Sequence, residues 1–92
     1  MIRTFRHRGL KRLFGRADAS RVPADQRERI GIALAALDAA KVPSDVSRPG
    51  YRLHPLKGSR AGYWSISLTR TWRIVFRMHE GNAYDVDLVD YH

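Results

Sequence analysis

Alternation of apolar and polar side chains is strongest between Tyr63 and Met78. It has a period of two from Tyr63 to Leu68 and again from Trp72 to Met78, in segments rich in aromatic and β-branched residues, which favours strands. Thr69 to Thr71 separate the two segments, so they predict an antiparallel hairpin. One face of the second strand is apolar and the other carries two guanidinium groups: Trp72, Ile74, Phe76 and Met78 against Arg73, Val75, Arg77 and His79.

Helical periodicity precedes the hairpin. From Pro23 to Lys41 apolar residues recur at the spacing of one helix face, at Ile30, Ala33, Leu34 and Leu37. Pro23 suits the first turn of such a helix. A shorter helix is predicted from His7 to Phe14, with Gly15 as its C-terminal stop.

The remaining segments complete an α+β domain that we expect to span residues 1–92. Met1–Arg6 is predicted as a short strand with Ile2 and Thr4 on one side, and Ala83–Val89 as the last strand. Val42–Gly50 is predicted as a loop with one turn capped by Ser44. The order predicts N-terminal helices packed on a mostly antiparallel, twisted sheet of three to five strands. The long helix would cover the Trp72 face, which leaves the basic face open to a ligand.

The distribution of charge suggests what that ligand is. The formal net charge is +8, and residues 1–16 and 51–77 each hold six Lys or Arg and no acid. A field of this sign favours a polyanion, most often nucleic acid, over the alternative of a merely solvated cationic surface. The chain has no Cys and no apolar segment of about 20 residues. We therefore expect a cytoplasmic protein with no membrane association.

Histidines are the candidates for acid–base chemistry. Imidazole titrates nearest neutral pH, so two of them beside one phosphate can act as base and acid, although a single His is more often a surface residue. The spacing of the four His argues against a metal site, and no cofactor motif is present. The chain ends in Asp90-Tyr91-His92, where an Asp can orient an imidazole and a Tyr can stack on a base. A frayed terminus without a role is the alternative.

Five segments together resemble the HigB family of toxins, in the RelE/ParE superfamily of toxin–antitoxin systems. They are Met1–Leu10, the Leu53–Gly58 sequence LHPLKG, the Tyr63–Ile66 sequence YWSI, the Trp72–Arg77 sequence WRIVFR, and the terminal Asp90-Tyr91-His92. The resemblance covers nearly the whole chain and is weakest between Gly15 and Val22. It implies a RelE-like fold and a messenger-RNA endonuclease that cuts on translating 70S ribosomes. It also implies a cognate antitoxin of the HigA type with a helix-turn-helix domain, through which operator DNA would be bound.

The resemblance also maps functional positions onto His54, Asp90, Tyr91 and His92. Cleavage by the RNA's own 2′-hydroxyl needs a base, an acid and positive charge at the phosphate. His54 and His92 would share the first two roles in either order, with Asp90 and Tyr91 as positioning or stacking groups. Lys57 and Arg73 are the candidates for the phosphate charge. For Arg73, a structural pair with an acid of the last strand is the rival role.

Two further expectations concern partners and alternatives. Arg8, Lys11 and Arg12 are candidates for gripping ribosomal RNA. The competing functions are a noncatalytic RNA- or ribosome-binding regulator and a gyrase-directed toxin. The second of these would need no histidine.

Overall fold

Two α-helices and a four-stranded antiparallel sheet make up the computed structural model, which describes residues 1–91. The helices are α1 (Arg8–Arg16) and α2 (Arg27–Ala39). The strands are β1 (His54–Pro55), β2 (Trp64–Ser67), β3 (Trp72–His79) and β4 (Asn82–Asp90), and they lie in chain order across the sheet. Short 3-10 turns span Ala24–Gln26, Pro43–Val46 and Gly58–Arg60. The predicted α+β architecture is confirmed.

One hydrophobic core joins α2 to the sheet. Ile30, Leu34 and Leu37 of the helix are fully buried in the same cluster as Ile74 and Phe76. Trp72 and Met78 pack against that cluster, so the predicted apolar face of β3 is confirmed. Burying each large side chain of this kind contributes roughly 1.5–3 kcal/mol, which makes this layer the main source of stability. Within residues 1–91 no helix is long and apolar enough to cross a bilayer.

The N-terminal segment follows β4 as a parallel neighbour rather than as a regular strand. Its two isolated bridges join Ile2 to Ala83 and Phe5 to Val86. The two bridges are three residues apart both in the N-terminal segment and in β4, and β4 bulges between them at Asp85, whose φ is 54°. The prediction that Ile2 and Thr4 share a side is therefore wrong: Ile2 is buried, whereas Thr4 is exposed and accepts a hydrogen bond from the Asp85 amide.

Three predicted boundaries differ from the structure. Gly15 lies inside α1, and the left-handed residue that ends this helix is Ala17, whose N–H donates to the Leu13 carbonyl. The long helix starts with a 3-10 turn and is α-helical only from Arg27 to Ala39, because Ala40 is extended. The turn after it is closed by Asp45, not Ser44, since the Asp45 carboxylate accepts the N–H groups of Lys41 and Val42.

We call the other side of the sheet the open face; it carries His54, Ser65, Ser67, Arg73, Val75, Arg77 and Asp87. It is less open and less basic than predicted. Ser65 is fully buried and Val75 is 2% exposed. The loop before β1 continues along the edge of β2, where the Ser67 N–H donates to the Tyr51 carbonyl. The centre of the open face thus holds small, buried side chains, which separate the cationic groups at its two ends.

Candidate active site and nucleic-acid interface

His54 is exposed at the edge of the open face with its ring held in one orientation. Its Nδ1 lies 2.9 Å from the carbonyl oxygen of Arg52. A carbonyl only accepts hydrogen bonds, so Nδ1 carries the hydrogen and the lone pair of the neutral ring lies on Nε2. Arg52 has a φ of 49°, a left-handed conformation that costs energy for a residue other than glycine. This backbone conformation presents the carbonyl that fixes the His54 tautomer.

Arg73 lies two strands away on the same face. One of its terminal nitrogens donates to the Ser67 hydroxyl at 2.9 Å, and its guanidinium carbon lies 5.0 Å from the centre of the Tyr91 ring. Its Nε is buried, with no hydrogen-bond acceptor among residues 1–91. A guanidinium placed on a hydroxyl and an aromatic ring keeps its positive charge available to an anion.

The C-terminal residues reach this site through β4. Asp90 is opposite Trp72, so it lies on the side of the sheet that faces the core. The Tyr91 N–H donates to the Thr71 carbonyl at 2.8 Å. This bond holds the Tyr91 ring, which is 39% exposed, beside Arg73. His92 lies outside the described residues. The structure thus brings Tyr91 to Arg73, and it places Asp90 in the neighbouring register position.

A cationic cleft adjoins Arg73. It has a volume of about 290 Å³ and is lined by Gly50, Arg52, Ser67, Leu68, Thr69, Arg70 and Arg73. Three arginines and two hydroxyl side chains thus surround a space without any carboxylate in its lining. Arg52 and Arg70 were not among the predicted site residues, although the acid-free stretch that contains them was the available signal. Oxygen atoms of phosphate groups match these donors.

The distances across the sheet suit a dinucleotide. His54 is opposite Ser65 and Arg73 is opposite Ser67, so their backbones are separated by two strand spacings and one two-residue repeat, roughly 12 Å. Both side chains are long enough to approach one phosphate from opposite sides. Lys57 is exposed three residues after His54, at the start of a 3-10 turn. Within residues 1–91, no group of three His, Asp or Glu side chains is arranged to hold a metal ion.

The predicted ribosome-binding residues form a separate cationic surface on α1. Arg8, Lys11 and Arg12 are exposed and line a shallow depression of about 430 Å³ together with Gly15 and Arg16. Helix α1 packs against α2 and β4. The depression has no acidic residue in its lining, and it shares no lining residue with the cleft beside Arg73.

Arg77 has a different environment from Arg73. Its Nε donates to the Asp85 carboxylate at 2.9 Å, and the Tyr63 hydroxyl donates to the same oxygen at 2.9 Å. These two hydrogen bonds, the one from Arg77 above all, hold the pKa of Asp85 below its ordinary value of 3.8. Sequence analysis missed this network because its members are 8 and 22 positions apart. The bulge at Asp85 gives no local sequence signal.

Comparisons with known proteins agree with this fold. The family described as RelE-like toxin of type II toxin-antitoxin system HigB matches residues 3–92. The chain is 47% identical to Endoribonuclease HigB of Proteus vulgaris over 92 residues, which is the full length of both proteins. Among solved structures, it resembles a YoeB/ParE toxin from Agrobacterium tumefaciens with a TM-score of 0.53, at 25% identity over 78% of this chain and 79% of that one.

A second solved structure shows the fold alone. It is a point mutant of YafQ from E. coli, with a TM-score of 0.60, 12% identity, and coverage of 98% of this chain and 93% of that one. Toxins of type II systems are paired with an antitoxin, so a partner of that class follows from the family. The match over residues 3–92 and the full-length relative show that this chain belongs to the HigB family of RelE-like toxins of type II toxin–antitoxin systems.

Proposed function

We propose that this toxin is an endoribonuclease that cuts messenger RNA in the aminoacyl site of the 70S ribosome and so inhibits translation. The observation that carries the proposal is the orientation of His54. Its Nδ1–H is held by the Arg52 carbonyl, which leaves Nε2 to exchange a proton with a substrate. Arg73 lies on the same face with its charge available to a phosphate. The relative from Proteus vulgaris carries the name endoribonuclease, which supports the same activity here.

The reaction needs only groups that the site can supply. The 2′-hydroxyl loses its proton to a base and its oxygen attacks the adjacent phosphorus, while the bond from phosphorus to the 5′-oxygen breaks and that oxygen receives a proton from an acid. The products are a 2′,3′-cyclic phosphate and a 5′-hydroxyl. His54 and His92 provide the base and the acid, Lys57 and Arg73 stabilise the charge at phosphorus, and Asp90 and Tyr91 position the imidazole and the nucleotide.

Two cationic surfaces support the proposed partner contacts. Arg8, Lys11 and Arg12 on α1 bind ribosomal RNA, while the open face receives the messenger RNA. The antitoxin is of the HigA type with a helix-turn-helix domain, and operator DNA is bound through that partner. The domain comprises residues 1–92, and it acts in the cytoplasm, where ribosomes translate.

Primer-extension mapping of messenger RNA on translating 70S ribosomes tests the activity. The wild-type protein is expected to produce cuts within the aminoacyl-site codon. His54→Ala should lower the cleavage rate by a factor of about 100 or more, because it removes one of the two proton-transfer groups. His79→Ala is the matched control, since His79 is also exposed but lies at the far end of β3 beside Glu80.

Binding measurements separate the alternatives. Sedimentation with 70S particles reports association independently of cleavage. Ribosome binding without cuts would favour the noncatalytic regulator. The absence of both cuts and ribosome binding would favour the gyrase-directed toxin. EDTA added to isolated ribosome complexes tests whether cleavage is independent of metal ions.

The same sedimentation assay tests the α1 surface. Replacing Arg8, Lys11 and Arg12 with Ala should weaken ribosome association and reduce the slope of log K against log salt by about two. The control replaces Arg27, Lys41 and Arg48, which are equally exposed and remove the same charge from other surfaces. Equal losses in the two triple variants would mean that net charge, not the α1 surface, drives association.

A further inference from the structure

A small pocket on the open face contains two carboxylates, and the proposed chemistry uses neither. The pocket has a volume of about 110 Å³ and is lined by Arg6, Ser59, Arg60, Tyr63, Val75, Asp85 and Asp87. We infer that it is a subsite for an RNA base that carries an exocyclic amino group, in a nucleotide flanking the cut, and that Asp87 is the residue that recognises this group. The inference rests on the proposed function because it takes RNA as the ligand.

Strand register places the pocket in line with His54. His54 is opposite Ser65, Ser65 is opposite Val75, and Val75 is opposite Asp87. The row therefore runs perpendicular to the strands, with three strand spacings, roughly 14 Å, between the backbones of His54 and Asp87. Ser65 and Val75 lie between the two ends and are buried, so neither contributes a contact and the RNA passes above them. An extended RNA strand that has its scissile phosphate at His54 can reach the pocket with a neighbouring nucleotide.

Asp85 forms part of the wall of the pocket, and both of its oxygens already accept hydrogen bonds. Oδ2 accepts from Arg77 and Tyr63, each at 2.9 Å, and Oδ1 accepts from the Thr4 hydroxyl at 3.4 Å. The hydrogen bond from Arg77 is the main reason that its pKa is lowered, so it stays ionised and engaged at neutral pH. Arg6 lies over the Tyr63 ring at 5.9 Å, which closes the side of the pocket nearest the N-terminal segment. These groups build a rigid frame and leave recognition to another side chain.

Asp87 is the acceptor that this frame presents. One of its carboxylate oxygens accepts the N–H of Leu88 at 2.9 Å, which orients the side chain. No hydrogen bond reaches the other oxygen from residues 1–91, and neither Arg6 nor Arg60 forms an ion pair with it within that part of the chain. A half-buried, oriented carboxylate oxygen is thus available at the end of a cationic surface.

A base with an amino group matches these features. Cytosine N4, adenine N6 and guanine N2 each donate hydrogen bonds that a carboxylate accepts, whereas uracil has the carbonyl oxygen O4 where cytosine has N4, and a carboxylate repels that oxygen. Arg6 and Arg60 hold the adjoining phosphates and so offset the repulsion between RNA and Asp87. Carboxylate recognition inside a cationic surface therefore supplies selectivity, while the arginines supply affinity.

Short RNAs with a 2′-deoxy group at the cleavage position test the subsite by fluorescence anisotropy. The RNAs differ at one flanking position, where cytosine is compared with uracil and adenine with purine, which lacks only the amino group. At one such position the wild-type protein should bind the amino-bearing RNA about tenfold more tightly, and Asp87→Asn should reduce that ratio to about two. Asp25→Asn, an exposed acid before α2, should keep the wild-type ratio. Arg60→Gln should weaken all four RNAs by a similar factor.

Equal binding of the paired RNAs by wild-type protein, an absence of measurable binding, or an Asp87→Asn ratio like that of wild type would each overturn the subsite. A Tm for Asp87→Asn within a few degrees of wild type confirms that the variant folds. If Asp87→Asn does not fold, the binding of the four RNAs by Arg60→Gln tests the subsite instead. Cleavage on ribosomes is measured separately. A protein that discriminates in binding but never cuts would overturn the proposed function and support the subsite.

Discussion

Arg73 and Arg77 lie on the same face of the same strand, yet their surroundings differ completely. Arg77 donates to Asp85, which also accepts from Tyr63, so its charge is neutralised within the protein. Arg73 instead contacts a serine hydroxyl and the Tyr91 ring, and its Nε is buried without an acceptor among residues 1–91. Arg77 therefore stabilises the sheet, whereas the proposed role of Arg73 is to offer its charge to an RNA phosphate.

The rival role that the sequence left open for Arg73 was a structural pair with an acid of the last strand. An ion pair between β3 and an acid of the last strand does exist, but Arg77 makes it. Net charge and strand alternation do not distinguish Arg73 from Arg77. Their difference depends on the bulge that turns Asp85 toward Arg77.

The largest expected effect is a divergence in cleavage. Arg73→Ala should lower the rate on ribosome-bound messenger RNA by a factor of about 100, because a charge-stabilising donor is lost at the phosphate. Arg77→Ala should keep the rate per folded molecule within about threefold of wild type. Initial rates by primer extension, normalised to the folded fraction from circular dichroism, make the comparison. Similar losses in both variants would end the distinction between the two arginines.

A smaller effect is expected on stability, and it depends on pH. Asp85→Asn keeps a residue that tolerates the positive φ but removes the charge, so the Tm at pH 7 should fall by roughly 3 °C. The pKa of Asp85 is lowered in the folded state, so its stabilisation is complete well above 3.8 and is lost as the pH falls through the folded pKa. The Tm difference between wild type and variant should therefore close below pH 3.8.

The control for that series is Asp25→Asn, at an exposed position in the turn before α2. Its Tm should follow wild type at every pH. A difference for Asp85→Asn that stays constant from neutral pH into acid would contradict the role of the ionised carboxylate.

The smallest effect concerns the ring beside Arg73. Tyr91→Ala should weaken binding of a noncleavable RNA by about threefold, because the guanidinium loses the ring that orients it. Tyr91→Phe keeps the ring and should recover most of the binding. Anisotropy titrations of both variants separate the ring from the hydroxyl. If Phe and Ala behave alike in these titrations, the hydroxyl and not the ring contact is responsible.

Sequence reasoning succeeded where a local period controls the structure. The apolar face of β3 and the buried positions of α2 follow from alternation and from helical spacing, and both are confirmed. It failed at the ends of elements, as with Gly15, because a tertiary contact or a cap can prolong a helix past a favourable stop. It also failed for the sides of Met1–Arg6, since a bulge in a strand eighty residues away sets that register.

The candidate site divides along the same line. The motif around His54 and the terminal Asp90-Tyr91-His92 were found in the sequence, and their functional roles stay predictions. Arg52 and Arg70 were missed as members of the cleft because a count of basic residues does not show which of them converge. The tautomer of His54 could not be predicted from the sequence either, because it depends on the backbone conformation of Arg52.

The sequence by itself determined which faces of the helices and strands are apolar and which segments are cationic, because these properties repeat with the period of each element. The tertiary structure alone decided which charges are neutralised and which stay available. That choice depends on contacts between residues far apart in the chain, such as Tyr63 with Asp85, and on two residues with positive φ, Arg52 and Asp85. The composition gives the number of charged side chains, but whether they can contact RNA depends on their distances and orientations.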